Sequence, residues 1–147
     1  MARSFAMSLN QITIRNLGPE EAHVLDRVRP GVFGDEMDPS RVWAFLATRV
    51  NELVVALDMG EVVGFVCGTV LMHPGRATEF LVQEVSVHPD VAGDGVEARL
   101  LARITELALD RGCEGLVAIG RTSEMFSVVA ESAEDGLTRY QWVDLQD

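Results

Sequence analysis

The sequence is poor in several residue types, and each scarcity excludes a class of protein. It has no lysine, two cysteines and one tyrosine in 147 residues. Its longest apolar run, from Val62 to Met72, is interrupted by Gly64 and Gly68 and falls well short of the roughly 20 residues that span a bilayer. The opening segment is too poor in apolar residues for a secretory signal. We therefore expect a cytoplasmic protein with no membrane partner.

The length fits a single domain, residues 1–147, with about residues 1–9 as a loose leader before the first predicted strand. Nearly half of the residues are hydrophobic (48%), enough to build one core. No internal repeat or low-complexity segment suggests a second unit. The chain is therefore predicted to fold around one core.

The cysteines and histidines do not show the spacing of a metal site. Cys67 lies in a predicted buried strand and Cys113 at a predicted helix end, and the three histidines have no ligand spacing with either of them. Free cysteines that pack as small apolar side chains are favoured over a disulfide. We predict no metal.

The net charge of −11 comes from 23 acidic residues and 12 basic residues, all of them arginine. Such a surface repels nucleic acid and anionic membranes. It suits a cationic partner, although solubility alone also explains it. We expect no nucleic-acid partner.

The hydrophobic pattern changes period along the chain and predicts mixed α/β structure around one central sheet. Strands are predicted at residues 11–15, 52–58, 61–72, 80–87, 115–119 and 137–145, with a hairpin turn at Met59-Gly60. Helices are predicted from Pro19, after the N-cap Asp38, from Val96, and over residues 123–130. The second helix is expected to bury Val42, Trp43, Phe45, Leu46 and Val50.

The segment from Glu79 to Asp110 carries the clearest functional pattern. An apolar strand ends at His88-Pro89-Asp90, and a loop follows in which Gly93 and Gly95 permit backbone geometry that other residues resist. An amphipathic helix begins at Val96, and Gly112 lies where its C-terminal cap is expected. The backbone N–H groups at such a helix start can bind a phosphate group. The pattern therefore predicts a phosphate-binding turn between strand and helix.

The element order and the segment EVSVHPDVAGDGVEARLL resemble the GNAT acetyltransferase superfamily, whose loop pattern is Q/R-x-x-G-x-G/A after a hydrophobic strand. The segments VFGDEMDPSRVWAFL and NELVVALDMGEVVGFVCG, together with Glu84, are similar to the aminoglycoside 3-N-acetyltransferase branch. The resemblance implies an α/β (α+β) fold with one mixed, mostly antiparallel sheet and helices on both faces.

The same resemblance implies that acetyl-CoA is the cosubstrate and that a small-molecule primary amine is the acceptor. The acidic surface would suit a polycationic amine. The expected cofactor-binding residues are the strand residues Val85 and Val87 and the loop and helix residues Ala92, Gly93, Asp94, Gly95, Val96 and Glu97. In this family the amine attacks the thioester directly, without an enzyme nucleophile.

Glu84 is the candidate general base. It interrupts an apolar strand, and burial in a cleft would raise the pKa of its carboxyl group toward the working pH. Strict strand alternation places it on the same face as Val82 and Ser86. The alternative is a glutamate on the solvent face of the sheet.

The loop departs from the family pattern in ways that oppose phosphate binding. Ala92 replaces the Gln or Arg, Glu97 replaces the final small residue, and Asp94 lies between the two glycines. The tyrosine that relatives place after the fifth strand is also missing from TSEMFSVVAESAEDG. Ser127 is the hydroxyl-bearing residue nearest to the position of that tyrosine, and Tyr140 belongs to the predicted last strand.

Three functions therefore remain open. The first is an active N-acetyltransferase, and the second is an impaired GNAT-fold binding or interaction module that no longer binds acetyl-CoA well. The third, a homodimer built through edge strands, has little support in the sequence. Asp35, Glu36 and Asp38 are candidates to meet a cationic acceptor, although a polar loop with Asp38 as a helix cap is favoured.

Overall fold

A computed structural model describes residues 11–34, 37–119 and 139–143. Within these residues six strands form one sheet in the order β1-β2-β3-β4-β5-β6. The strands are β1 (Thr13–Asn16), β2 (Asn51–Asp58), β3 (Glu61–Leu71), β4 (Glu79–Val87), β5 (Gly115–Ile119) and β6 (Arg139–Val143). Strands β1 to β4 pair antiparallel, whereas β4 with β5 and β5 with β6 pair parallel. The predicted mixed, mostly antiparallel sheet is confirmed.

The helices begin where their start signals predict. The first is a 3₁₀ helix, Pro19–Asp26, and the next is α1, Pro39–Ala47. Asp38 caps α1 by accepting hydrogen bonds from the amides of Ser40 and Arg41. The long helix α2 covers Val96–Asp110. The helix predicted at residues 123–130 lies outside the described residues.

The two faces of the sheet bury separate apolar clusters, so helices cover both faces as predicted. Helix α2 packs Val96, Leu100, Ile104 and Ala108 onto one face. The 3₁₀ helix and α1 cover the other face. Strand β2 shows why this is possible, because its apolar residues alternate between the two clusters.

Two predicted details of the helices need correction. Trp43 was expected to be buried, but its side chain is 60% exposed because it lies on the solvent side of α1. Gly93 and Gly95 were both expected to use backbone angles open to glycine, but only Gly95 does so, with φ of 78° at the cap of α2. At the other end, Gly112 has φ of 79° and ends the helix as predicted.

The end of α2 is tied to the start of β2 by a half-buried ion pair. The Arg111 guanidinium donates to the Glu52 carboxylate and to the backbone carbonyl of Arg49. Glu52 is 8% exposed, whereas the Arg111 side chain is 35% exposed. The pair therefore neutralises one of the few buried charges that the structure describes. No helix in the described ranges is long and apolar enough to cross a membrane.

Candidate active site

The site is created by an irregularity in β4. Cys67 of β3 pairs with Glu84, but the next residue, Gly68, pairs with Val82, so Gln83 is an extra residue on β4. This is a β-bulge, which bends a strand and often lies beside an active site. Pairing of β4 with β5 covers Glu79 to Val82 within the described residues, while β5 continues in register with β6 to Ile119. Among the described residues, pairing between β4 and β5 therefore ends at the bulge.

Gly68 permits the close approach of β3 and β4 at this point. A Cβ atom on Gly68 would lie 2.2 Å from the carbonyl oxygen of Leu81 and 2.4 Å from the ring of Phe80. Both neighbours are parts of the packed sheet, and Phe80 is fully buried. A side chain at residue 68 would therefore push the strands apart where the bulge forms.

The bulge also decides which way Glu84 points. Phe80 and Val82 belong to the α2 face, and Val85 and Val87 pack against that same cluster. Glu84 therefore faces α1, and the expectation that it shares a face with Val82 is wrong. Strict alternation fails because the extra residue of the bulge moves each later side chain of β4 to the opposite face of the sheet. Glu84 is also exposed, so the burial expected for this carboxylate is not found.

Glu84 opens onto a cavity of about 290 Å³ between the sheet and α1. Its other described lining residues are Leu25, Phe33, Met37, Asp38, Arg41, Val42, Phe45, Leu53, Phe65 and Cys67. The rings of Phe33 and Phe65 stack with centroids 3.9 Å apart. The wall is thus mainly apolar, and the charged groups among its described residues are Asp38, Arg41 and Glu84. The sequence does not reveal this cavity, because no local pattern indicates that aromatic residues from a loop, a helix and a strand line one space.

Two titratable groups of the cavity wall have altered proton affinity. Burial raises the pKa of the Cys67 thiol to about 12, and the Glu84 carboxylate adds to the rise. The thiol is therefore neutral at physiological pH and is a poor nucleophile. Hydrogen bonds from the Ser40 hydroxyl and from the Ser40 and Arg41 amides hold the pKa of Asp38 below its usual value. Asp38 is thus a helix cap, as favoured from the sequence.

The predicted phosphate-binding turn leads from β4 into α2. The His88 ring nitrogen accepts a hydrogen bond from the amide of Asp90 (3.1 Å), and buried Val91 anchors the loop. Ala92, Gly93, Asp94 and Gly95 are exposed, and Glu97 is half-buried in the first helical turn. The helix start, Val96 to Ala98, presents backbone N–H groups that α-helices do not pair internally.

Among the described residues, few basic groups offset the negative charges of this turn. Arg103, about two turns into α2, pairs with Glu106 (2.9 Å) and donates to Asn16 (3.2 Å). Arg99 is exposed in the first turns of α2. The backbone therefore fits an anion, whereas Asp94 and Glu97 oppose one.

Other predicted site features are only partly visible. Asp35 and Glu36, together with Ser127, lie outside the described residues. Tyr140 lies in β6, where it pairs with Leu116 of β5, in agreement with the predicted last strand. No group of three or more possible metal ligands occurs in the described part of the chain. Both cysteines are free, with Cys113 buried and Cys67 half-buried.

Comparison with known proteins identifies the family. Residues 20–127 match the model of the acetyltransferase (GNAT) family. An acetyltransferase of Photorhabdus laumondii is 34% identical over 94 residues, which cover 64% of this chain and 59% of that protein. The matched region thus spans less than two thirds of that relative.

Solved structures share the fold. A ribosomal-protein-alanine N-acetyltransferase from Brucella melitensis biovar Abortus matches with a TM-score of 0.61 and 24% identity, covering 82% of this chain and 89% of that one. An aminoglycoside acetyltransferase from an uncultured soil metagenomic sample, in complex with sisomicin, gives a TM-score of 0.63 at 13% identity (86% and 88% covered). Aminoglycoside N-acetyltransferase AAC(6')-Iy, in complex with CoA, gives 0.62 at 15% identity (82% and 85% covered). The family match and the shared fold agree: this chain belongs to the GNAT acetyltransferase family.

Proposed function

We propose that the protein transfers the acetyl group of acetyl-CoA to the primary amine of a small molecule. The observation that carries this proposal is the end of β4–β5 pairing at the bulge, beside Glu84 on the cavity wall, from which β4 continues toward the turn that leads into α2. An extended thioester arm laid along Val85 and Val87 would run from the phosphate-binding turn to the cavity mouth.

The turn would hold the pyrophosphate through the backbone. The amides of Gly93, Gly95, Val96 and Glu97 lie at or before the start of α2, where the helix dipole favours an anion. Backbone donors do not depend on the side chains of Ala92, Asp94 or Glu97. Those side chains are expected to weaken binding without abolishing it, because the exposed carboxylate of Asp94 is screened by water.

At the cavity mouth Glu84 would act as the general base. The neutral amine nitrogen attacks the thioester carbonyl carbon, the C–N bond forms, and the C–S bond breaks. The proton lost by the nitrogen goes to the Glu84 carboxylate, directly or through one water, and the CoA thiolate takes a proton from solvent. Direct attack suits this site, because the neutral Cys67 thiol offers no thiolate for a covalent intermediate.

The test is calorimetric titration with acetyl-CoA, followed by measurement of thiol release in the presence of an amine. Gly95→Ala should weaken acetyl-CoA binding, because Gly95 has φ of 78° at the start of α2. Gly112→Ala is the matched control, since Gly112 has nearly the same φ at the other end of the helix.

Saturable binding that only Gly95→Ala weakens supports the proposal. No binding heat at millimolar acetyl-CoA would overturn it and would favour an impaired GNAT-fold binding module.

A further inference from the structure

Resting on the proposed function, we infer that the acceptor is a monoamine carried on an apolar body, such as an alkylamine or arylalkylamine, and that a polycation is a poor acceptor. The juxtaposition behind this inference is a mainly apolar cavity whose mouth carries Glu84.

The floor and walls of the cavity are hydrocarbon. Leu25, Leu53 and Phe65 are buried at its base, and Val42 and Phe45 of α1 are half-buried along its side. The Phe33 ring stacks on Phe65 at an interplanar angle of 15°, so the two rings act as one aromatic unit. The Cys67 thiol, neutral through burial, adds no charge. An apolar body placed here would lose contact with water and gain free energy in proportion to its buried area.

The charged groups of the cavity also fit a single cation. The described wall contributes two carboxylates, Asp38 and Glu84, and one guanidinium, Arg41, which sums to one negative charge. The Asp38 carboxylate is engaged by the amides of its own helix. Arg41 is 89% exposed in its side chain and stands 3.9 Å from Asp38 at the rim. Within the described wall, a second ammonium group would lie against hydrocarbon or near this guanidinium, and both positions are unfavourable.

The size agrees with this ligand class. A cavity of about 150 Å³ lined by apolar side chains holds a benzene molecule. The cavity of about 290 Å³ therefore has room for an aromatic ring with a short chain. Ordinary small-molecule sites start near this volume.

The experiment measures kcat/KM by thiol release for a homologous series from propylamine to hexylamine, with phenethylamine, spermidine and sisomicin for comparison. Each methylene that enters the cavity should raise kcat/KM about three- to fourfold. Phenethylamine should exceed spermidine by about tenfold or more. Equal kcat/KM values along the alkylamine series, or a preference for spermidine or sisomicin, would overturn the inference.

Two variants that add the same charge distinguish an effect of the cavity wall from an effect of the overall surface charge. Val42→Asp places a carboxylate in the apolar wall and should reduce the phenethylamine preference about tenfold or more. Ala44→Asp adds the same charge on the exposed side of α1 and should leave the preference unchanged. If Val42→Asp fails to fold, Val42→Thr adds only a hydroxyl group and should lower the preference by a smaller factor. Equal effects at residues 42 and 44 would contradict the inference.

Failure of this inference is distinguishable from failure of the proposed function. If acetyl-CoA binds and spermidine is the better acceptor, only the acceptor class is wrong. If no amine is acetylated, calorimetry of phenethylamine and spermidine without a donor ranks the two ligands directly. Binding of phenethylamine but not of spermidine supports the inferred ligand class. If phenethylamine does not bind at millimolar concentration, the inference is overturned.

Discussion

Cys67 and Glu84 face each other across β3 and β4, directly beside the bulge at Gln83, and both side chains line the same cavity. The pairing explains two properties together. It aims Glu84 at the α1 face, and it places a carboxylate beside a thiol whose proton affinity burial has already raised. The register of β3 and β4 thus sets the position of the candidate base and of the cavity wall that would contact the acceptor.

Replacing Glu84 by glutamine should lower the turnover of acetyl transfer. The substitution keeps the shape of the side chain but removes its ability to take the proton, so we expect a loss of about a hundredfold to ten-thousandfold in kcat. Acetyl-CoA affinity by calorimetry should change little. Glu114→Gln removes an equal charge from an exposed residue before β5 and serves as the control. An unchanged kcat in Glu84→Gln would exclude Glu84 as the base.

Removing the carboxylates of the phosphate-binding turn should tighten acetyl-CoA binding. The double variant Asp94→Asn with Glu97→Gln keeps the shape of the loop and removes two negative charges near the expected pyrophosphate. We expect an increase in affinity of roughly two- to fivefold, because charges at or near the surface interact by about 1 kcal/mol or less. The gain should shrink at high salt.

Asp110→Asn is the control for that variant, since it removes one charge at the far end of α2. Equal affinities for the double variant and the wild type at low salt would show that the two carboxylates point away from the ligand.

The Cys67 thiol should make stability depend on alkaline pH. Its pKa is raised from 9.0 to about 12 in the folded chain, so the folded state holds the proton more tightly than the unfolded state. The associated stability is fully present below about pH 9 and is lost as pH rises from about 9 toward 12.

Urea unfolding measured across this pH range checks the sign. Because the pKa of Cys113 is also raised by burial, the test uses Cys113→Val, which leaves Cys67 as the single thiol, and compares it with the double variant that also carries Cys67→Val. The single variant should lose more stability on going to high pH. Thiolate absorbance in folded Cys113→Val at pH 9 would contradict the prediction.

Replacing Arg111 by methionine should destabilise the fold. The change leaves buried Glu52 without this partner, and the partial exposure of Arg111 reduces the cost to about 1–3 kcal/mol. Arg103→Met is the matched control, because Arg103 pairs with Glu106 on the surface of the same helix, where such pairs are worth about 1 kcal/mol or less. Urea midpoints with unchanged slopes measure both. Equal shifts in the two variants would show that the Glu52 pair carries no special weight.

Local patterns in the chain were enough to predict most of the architecture. The apolar run of β2, the N-cap and proline at Asp38-Pro39, and the glycine after α2 act over a few residues. Each could therefore be interpreted without tertiary contacts. The exposure of Trp43 could not be predicted in the same way. An apolar residue within a helical pattern reveals its face only when the neighbouring layer is known.

The sequence by itself determined the order of elements, the family pattern after β4 and the choice of Glu84 as the candidate base, because these depend on residue type and spacing along the chain. The tertiary structure decided the face on which Glu84 lies, its pairing with Cys67 and the apolar cavity that they share. The physical reason is the bulge at Gln83. One extra residue in a strand moves the side chains that follow it to the opposite face of the sheet. Only the pairing with β3 shows where this extra residue is inserted.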